Sequence, residues 1–330
     1  MKKLILFAAI LFFAFPAFAQ DQEEDYNYSD FSVIGRLDLN PYYDLSSDPK
    51  ELGFSHSNSG IYTMFEGAAS EHFSWLLVNH WIQAGGGIED YDYAWPYKCL
   101  GYSDVTNWID FCQIGLTFSN WNFTVGKDMI ATGGFEFDDW DWDIAYNFSS
   151  PLWNSLPAYQ WGLKADYTTP SEMTNLALQA TTSPYGEHPF GSGLYQFSAQ
   201  WKGEYGWFSN IWSATYAQTA KGEHKMIFAL GQRFTFSDSW NFTLDWNNFE
   251  GNYFAGTLKY APLDKWDFNL RAAVLNFEGE TAWRGGFECN FYPITDSEDL
   301  RLYGSCFYDK IFETVDLTVG VRYNFAFNLW

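Results

Sequence analysis

The side chains that first suggest chemistry are carboxylates gathered in residues 131–157, a segment that contains neither lysine nor arginine. Aromatic rings are interspersed among them, at Phe135, Phe137, Trp140 and Trp142. Carboxylates at this density attract cations, and the rings could offer a stacking surface to sugars. The segment therefore predicts a filtering or binding element, whose candidate residues are Glu136, Asp138, Asp139, Asp141 and Asp143.

One short string suggests hydrolysis, because His56 is followed by Ser57 and Ser59. On a strand, a histidine shares a face only with residues two positions away, and that neighbour is Asn58 rather than a serine. The five histidines show no metal-ligand spacing, and no glycine-rich phosphate loop with a lysine is present. We expect no catalytic residues, no metal site and no cofactor.

The cysteines leave two readings open. Cys289 and Cys306 fall on consecutive predicted strands with the same parity, so a hairpin centred near Ser297 would place them opposite each other for a disulfide. Cys99 and Cys112 could form a second pair. The alternative is four small apolar residues with free thiols.

These residues are carried by segments in which apolar and polar side chains alternate, as in Trp240, Phe242, Leu244 and Trp246 against their polar neighbours. A two-residue period predicts strands with one apolar and one polar face. About sixteen such segments occur: 30–39, 59–67, 73–82, 106–118, 121–130, 158–168, 174–181, 194–203, 207–217, 224–235, 240–247, 252–261, 266–275, 282–292, 299–309 and 314–328.

The connections between these segments alternate in length. Those near 119–120, 204–206, 237–239 and 262–265 are tight, whereas those at 40–58, 83–105, 131–157 and 182–193 are long. Trp-x-Phe opens three strands, each after a tight turn, as expected of an aromatic girdle at a membrane–water boundary. The pattern predicts an all-β transmembrane antiparallel barrel with short periplasmic turns and long extracellular loops.

Residues 1–19 have the pattern of a signal peptide, with Lys2 and Lys3 before an apolar stretch and Ala17-Phe18-Ala19 before a cleavage site at Gln20. An acidic tail at 20–29 and a barrel at 30–330 would follow, in the bacterial outer membrane. The chain is 22% aromatic, which a lipid-facing surface can accommodate. A formal net charge of −23 argues against nucleic acid as a partner.

A barrel of about sixteen strands is too wide for side chains to fill, so the default is an aqueous lumen. Parity directs ten basic side chains inward, where they either pair with acids across strands or set up a field across the pore. The basic set is Arg36, Lys164, Lys202, Lys225, Arg233, Lys259, Arg271, Arg284, Arg301 and Arg322, and the acidic set is Asp38, Glu66, Asp128, Asp166, Asp245, Asp267, Glu288 and Asp316.

The whole mature chain resembles outer-membrane porins of the Gram-negative type. Residues 123–135, FTVGKDMIATGGF, are similar to a strand-and-loop of the phosphate-selective porin O/P group. The resemblance implies a third extracellular loop, 131–157, that folds into the barrel and narrows it, and it implies a homotrimer. Because this loop is acidic, whereas phosphate selectivity needs a basic constriction, the resemblance is extended to the fold and not to the anion preference.

The sequence thus predicts a channel for passive diffusion of ions and small hydrophilic solutes, with lipid and these solutes as its partners. The alternative is a structural or adhesive barrel that binds an external ligand through its loops.

Overall fold

Alternating apolar and polar residues form one antiparallel sheet in the computed structural model, which describes residues 27–46, 50–55, 59–84, 109–138, 150–186, 190–263, 265–277, 279–294, 297–310 and 313–328. The strands in these ranges are β1 (Tyr28–Asp44), β2 (Glu51–Ser55), β3 (Ser59–Ser70), β4 (Phe73–Ala84), β5 (Ile109–Phe118), β6 (Trp121–Met129), β7 (Tyr159–Thr168), β8 (Thr174–Thr182), β9 (Tyr195–Glu204), β10 (Phe208–Ala220), β11 (Glu223–Ser237), β12 (Trp240–Asn247), β13 (Asn252–Leu263), β14 (Trp266–Phe277), β15 (Glu280–Phe291), β16 (Leu300–Asp309) and β17 (Thr314–Asn328).

The sheet closes on itself through β1. One edge of β1 pairs with β17, from Asp30 opposite Asn328 to Asp44 opposite Thr314, and the other pairs with β3 as far as Arg36 opposite Gly60. The prediction of a closed antiparallel barrel of about sixteen strands is confirmed: the sixteen predicted segments correspond to β1 and β3–β17 among the described residues.

Two features differ from the prediction. β1 begins at Tyr28, inside the stretch expected to be an acidic tail, and its far end is extended by pairing with the unpredicted strand β2. The segment between β6 and β7 contains two short helices, α1 (Phe135–Asp138) and α2 (Pro151–Ser155). No helix in the described part of the chain is long and apolar enough to cross a membrane.

The two faces of the barrel wall have opposite character, as β8 illustrates. Leu176 and Leu178 are 48% and 67% exposed on the outer face, whereas Ala177 and Gln179 are 3% and 5% exposed on the inner face. The same alternation places Leu, Val, Phe and Trp outside on the other strands. The wall is therefore apolar outside and polar inside, as a two-residue period requires.

The two ends of the barrel carry different connections. At one end, called here the turn end, the tight connections 119–120, 205–207, 238–239 and 264–265 follow the predicted pattern. The other end is called here the loop end. Only its first four connections are long: those that join β1 to β3 by way of β2, β4 to β5, β6 to β7 and β8 to β9. The other four (221–222, 248–251, 278–279 and 310–313) are nearly as short as turns, and the longest turn-end connection is 292–299.

Aromatic side chains line the outer rim of the turn end. Trp121, Trp207, Trp240 and Trp266 are all exposed there, and the ring of Trp121 lies 6.0 Å from that of Phe123, two residues along the same face. Indole rings are amphipathic and favour a boundary between an apolar and an aqueous medium. This arrangement agrees with the girdle predicted from the Trp-x-Phe repeat.

Candidate functional site

The first part of the segment between β6 and β7 runs along the inner wall of the barrel. Ala131 donates its backbone N–H to Oε1 of Gln179 on β8 at 2.7 Å. Gly133 donates its N–H to Oγ of Ser213 on β10 at 2.8 Å, and its carbonyl accepts from the same hydroxyl at 3.1 Å. Successive residues of the segment therefore contact successive strands of the wall.

The path continues to β11 and β12. The N–H of Phe135 donates to Oδ1 of Asp245 on β12 at 2.8 Å, and the guanidinium of Arg233 lies 4.1 Å from the centre of the Phe135 ring. Gly231 on β11 allows this approach, because a Cβ there would lie 2.8 Å from the nitrogen of Phe135. The loop backbone thus passes directly over the wall backbone.

An apolar cluster holds the rest of the described loop in place. Four side chains of the two helices and of the residues beside them pack against β11 and against the connection between β12 and β13. The cluster consists of Ile130, Phe137, Leu152 and Leu156 from the loop, Ile227 and Ala229 from β11, and Phe249 from the connection. Burial of one such large side chain is worth about 1.5–3 kcal/mol. Ser150 caps α2 by accepting the N–H of Trp153 at 3.1 Å, which fixes where the returning chain becomes helical.

Of the five acids predicted to line a constriction, the structure describes two. Glu136 is half-buried and accepts the N–H of Ser150. Its pKa lies above the usual 4.5, chiefly because of burial, although the Ser150 hydrogen bonds and the guanidiniums of Arg284 and Arg271 lower it. Asp138 forms an ion pair with Lys202 on β9. Asp139, Asp141 and Asp143 lie outside the described residues.

The seven predicted lumen-lining cations all belong to the inner face, where acids and aromatic rings surround them. Lys164 Nζ lies 2.7 Å from Asp128 and 3.9 Å from Asp166, while Arg233 donates from Nε to Thr243 at 3.1 Å. The other ion pairs of this set are Arg36–Asp38 at 3.1 Å, Arg271–Glu288 at 3.8 Å, Arg284–Asp309 at 3.0 Å and Arg301–Glu288 at 3.5 Å. Most of the positive charge on the wall is therefore matched by a carboxylate nearby.

Arginines also form a row across the barrel closure. Arg322 on β17 lies opposite Arg36 of β1 in one ladder and opposite Arg301 of β16 in the other. Tyr303 joins the row, since its hydroxyl accepts from Nε of Arg36 at 2.9 Å and donates to Asp38. Tyr303 lies on β16 and Arg36 on β1, the two strands that pair with β17. This network therefore links the closing strands on the inner face of the barrel.

Of the two readings of the cysteines, free thiols agree with the structure, and the possible disulfide between Cys289 and Cys306 does not. The register places Cys289 opposite Gly304 and Cys306 opposite Phe287, so the two cysteines are diagonal neighbours rather than partners. Diagonal positions are about 7–8 Å apart, beyond the separation that a disulfide bridges. Cys112, Cys289 and Cys306 are free thiols, and Cys99 lies outside the described residues.

The remaining sequence candidates add no further chemistry. His56 lies outside the described residues. Within the described ranges, no group of three or more His, Cys, Asp or Glu side chains is arranged to hold a metal ion. Sequence reasoning missed the anchoring role of Gln179, Ser213 and Asp245, although their polar character at inward positions of β8–β12 was visible.

No protein-family model matches the sequence, so the resemblance of residues 123–135 to the phosphate-selective porin O/P group has no support beyond that segment. No curated protein is significantly similar to the chain either.

Solved structures do match. The anion-selective porin from Comamonas acidovorans superposes with a TM-score of 0.62 at 12% identity, covering 90% of this chain and 100% of that one. A loop-deletion mutant of OmpT, an outer membrane protein of Vibrio cholerae, gives 0.61 at 11% identity, covering 91% and 100%. A double mutant of the Rh. blastica porin gives 0.60 at 17% identity, covering 90% and 100%. The chain therefore has the barrel fold of Gram-negative outer-membrane porins.

Proposed function

We propose that the protein is a bacterial outer-membrane channel through which ions and small hydrophilic solutes diffuse passively. The apolar outer face suits lipid, because alternate strand residues can face hydrocarbon while their neighbours face water. The tryptophans at the turn end mark one membrane boundary. Export through a signal peptide cleaved before Gln20 would deliver the chain to that membrane.

The single observation that carries the proposal is the position of the loop between β6 and β7. Its residues 130–138 and 150–157 lie inside the barrel, held by Asp245, Ser213, Gln179 and the apolar cluster. A segment anchored there reduces the open cross-section. We infer that this loop forms the constriction that sets the size of permeating solutes.

The charges around the loop bear on ion preference. Asp138 is neutralised by Lys202, and burial favours the neutral form of Glu136 by raising its pKa. We therefore assign the preference for cations to Asp139, Asp141 and Asp143, whose sequence neighbourhood contains no basic residue. The guanidiniums of Arg271 and Arg284 would supply the opposite pole of a field across the constriction.

Reconstitution of the purified protein in planar bilayers tests the function. We expect stable single-channel steps, a reversal potential in a salt gradient with the sign of cation preference, and a larger conductance after deletion of residues 135–148. Correctly folded protein without conductance would refute the channel. If the same deletion instead abolished binding to an external ligand, the alternative of an adhesive barrel would be favoured.

A further inference from the structure

A polar recess opens in the inner wall near the turn end, in the part of the barrel formed by β1 and β3–β6. Its volume is about 230 Å³, below the roughly 300–1,000 Å³ of drug-sized sites. Side chains on its surface include Tyr28, Glu66, Ser74, Gln113 and Thr124. Its size suits a solute comparable to a monosaccharide.

The recess carries negative charge that the wall does not balance. Glu66 lies directly opposite Asp30 in the ladder between β1 and β3, and Asp30 repels the charge on Glu66. Among the described residues, no lysine or arginine lies within ion-pair distance of either carboxylate. This contrasts with Asp38, Asp128, Asp267 and Glu288, which face a basic side chain elsewhere on the wall.

Polar atoms without partners point to a missing ligand at the same place. Thr124 is only 6% exposed and lines the recess, yet its hydroxyl makes no hydrogen bond to another described residue. Oε1 of Gln113 is buried and also has no partner. Buried polar groups are normally hydrogen-bonded, so a bound molecule that donates hydrogen bonds would complete the site.

The chemistry of these groups selects the ligand. The Glu66 carboxylate, the Gln113 amide oxygen and the hydroxyls of Ser74 and Thr124 can all accept hydrogen bonds. An ammonium group offers three donors and no acceptor. A metal ion is a poorer match, because no cluster of three acidic, histidine or cysteine ligands occurs among the described residues. We propose that this recess, centred on Glu66, binds a small organic ammonium compound that carries hydroxyl groups.

Lys164 of the adjoining strand does not cancel this preference. It lies opposite Thr124 in the ladder between β6 and β7, but its ammonium lies 2.7 Å from Asp128 and 3.9 Å from Asp166. Its charge is therefore already matched by two acids. The proposal rests on the proposed function only in that solutes reach the recess through the barrel interior.

Calorimetric titration of the full-length protein in detergent micelles with glucosamine and with glucose tests the inference. At about pH 6 the amino group is protonated, so the two sugars differ by one ammonium group. We expect glucosamine to bind at least about tenfold more tightly than glucose, because charge-assisted hydrogen bonds exceed neutral ones. Glu66→Gln, which keeps the shape of the side chain, should remove this preference.

Two further variants distinguish binding of glucosamine in the recess from its nonspecific electrostatic attraction to the turn end. Thr124→Val should weaken glucosamine binding severalfold while preserving side-chain volume. Glu71→Gln changes an exposed carboxylate on the turn next to the recess and should leave binding unchanged. Equal binding of the two sugars, a preference that persists in Glu66→Gln, or binding of Mg²⁺ in place of glucosamine would each overturn the proposal.

Bilayer recordings distinguish this proposal from the channel itself. Normal conductance with no selective binding of glucosamine would overturn the recess and leave the channel intact. Selective binding without conductance would overturn the channel and leave the recess intact.

Discussion

The backbone N–H of Phe135 and the carboxylate of Asp245 are 110 residues apart in the sequence and 2.8 Å apart in the barrel. This hydrogen bond joins the loop between β6 and β7 to the inner face of β12. It also places the Phe135 ring against Arg233. The position of the loop inside the barrel is thus determined by wall residues distant in the sequence.

Removing the carboxylate should release this part of the loop. We expect Asp245→Ala to weaken loop docking by about 1.5–3 kcal/mol, the usual contribution of a hydrogen bond to a charged group. The channel should then show a larger mean conductance and more current noise in bilayer recordings. Asp245→Asn keeps an oxygen acceptor and should stay close to wild type; equal effects of both substitutions would contradict this role.

A side chain at Gly231 should displace the same segment by direct contact. A Cβ at this position would lie 2.7 Å from the Asp245 carboxylate and 2.8 Å from the Phe135 nitrogen. We expect Gly231→Val to weaken docking by about 1–3 kcal/mol, as overpacking does, and to raise the conductance. Gly256→Ala is the control, because a Cβ there meets nothing closer than 3.6 Å and should not alter the current.

The protonation of Glu136 should make loop docking depend on pH. Burial raises the pKa of this carboxyl above its usual 4.5. Its contribution to docking is therefore complete below that usual value and is lost as the pH rises through the raised pKa. We expect loop-related current noise to increase as the pH rises through this raised pKa.

Glu136→Gln provides the control for this pH dependence, since glutamine is uncharged at every pH used. Noise in this variant should stay low and constant over the same interval. If the variant and the wild type responded alike, another titrating group would have to be responsible.

Ion preference should follow the three acids beyond α1. We expect the triple substitution of Asp139, Asp141 and Asp143 by Asn to lower the ratio of cation to anion permeability, measured from reversal potentials in a salt gradient. Asp138→Asn should also lower it, since it leaves the Lys202 ammonium without its carboxylate partner. An unchanged reversal potential in both variants would exclude this loop as the selectivity element.

The two-residue period was enough to predict the barrel. It depends on local sequence alone, since each strand must turn one face to an apolar medium and the other to water. Trp240 and Leu244 therefore lie on the predicted outer face, and Arg36 and Arg301 on the predicted inner side. The short strand β2 was missed because five residues, Glu51–Ser55, are too few to display a convincing period.

Relationships between segments were harder to predict. The disulfide prediction assumed a hairpin centred near Ser297, but the actual register of β15 and β16 differs from it by two residues. A shift of two keeps every side chain on its face, so parity could not detect the error. Likewise, Asp245 was predicted to face inward, but its hydrogen bond to Phe135 was not predicted. That bond depends on the path of the loop between β6 and β7, whose sequence has no two-residue alternation from which the path could be read.

The network at the closure should stabilise the barrel by keeping a buried charge paired. Arg36 and Asp38 lie 3.1 Å apart, with side chains 5% and 0% exposed, and Tyr303 contacts both. Arg36→Met would leave Asp38 charged and buried, so we expect a loss of about 3–5 kcal/mol in the free energy of unfolding. Adding Asp38→Leu should recover part of that loss, because it removes the buried charge that Arg36 had balanced. Lys310→Met at the exposed Lys310–Glu313 pair should leave stability nearly unchanged, since solvent screens that pair. The midpoints of urea-induced unfolding in micelles compare the stability of the wild type and these three variants. A double variant no more stable than Arg36→Met would show that packing, rather than charge pairing, stabilises this part of the wall.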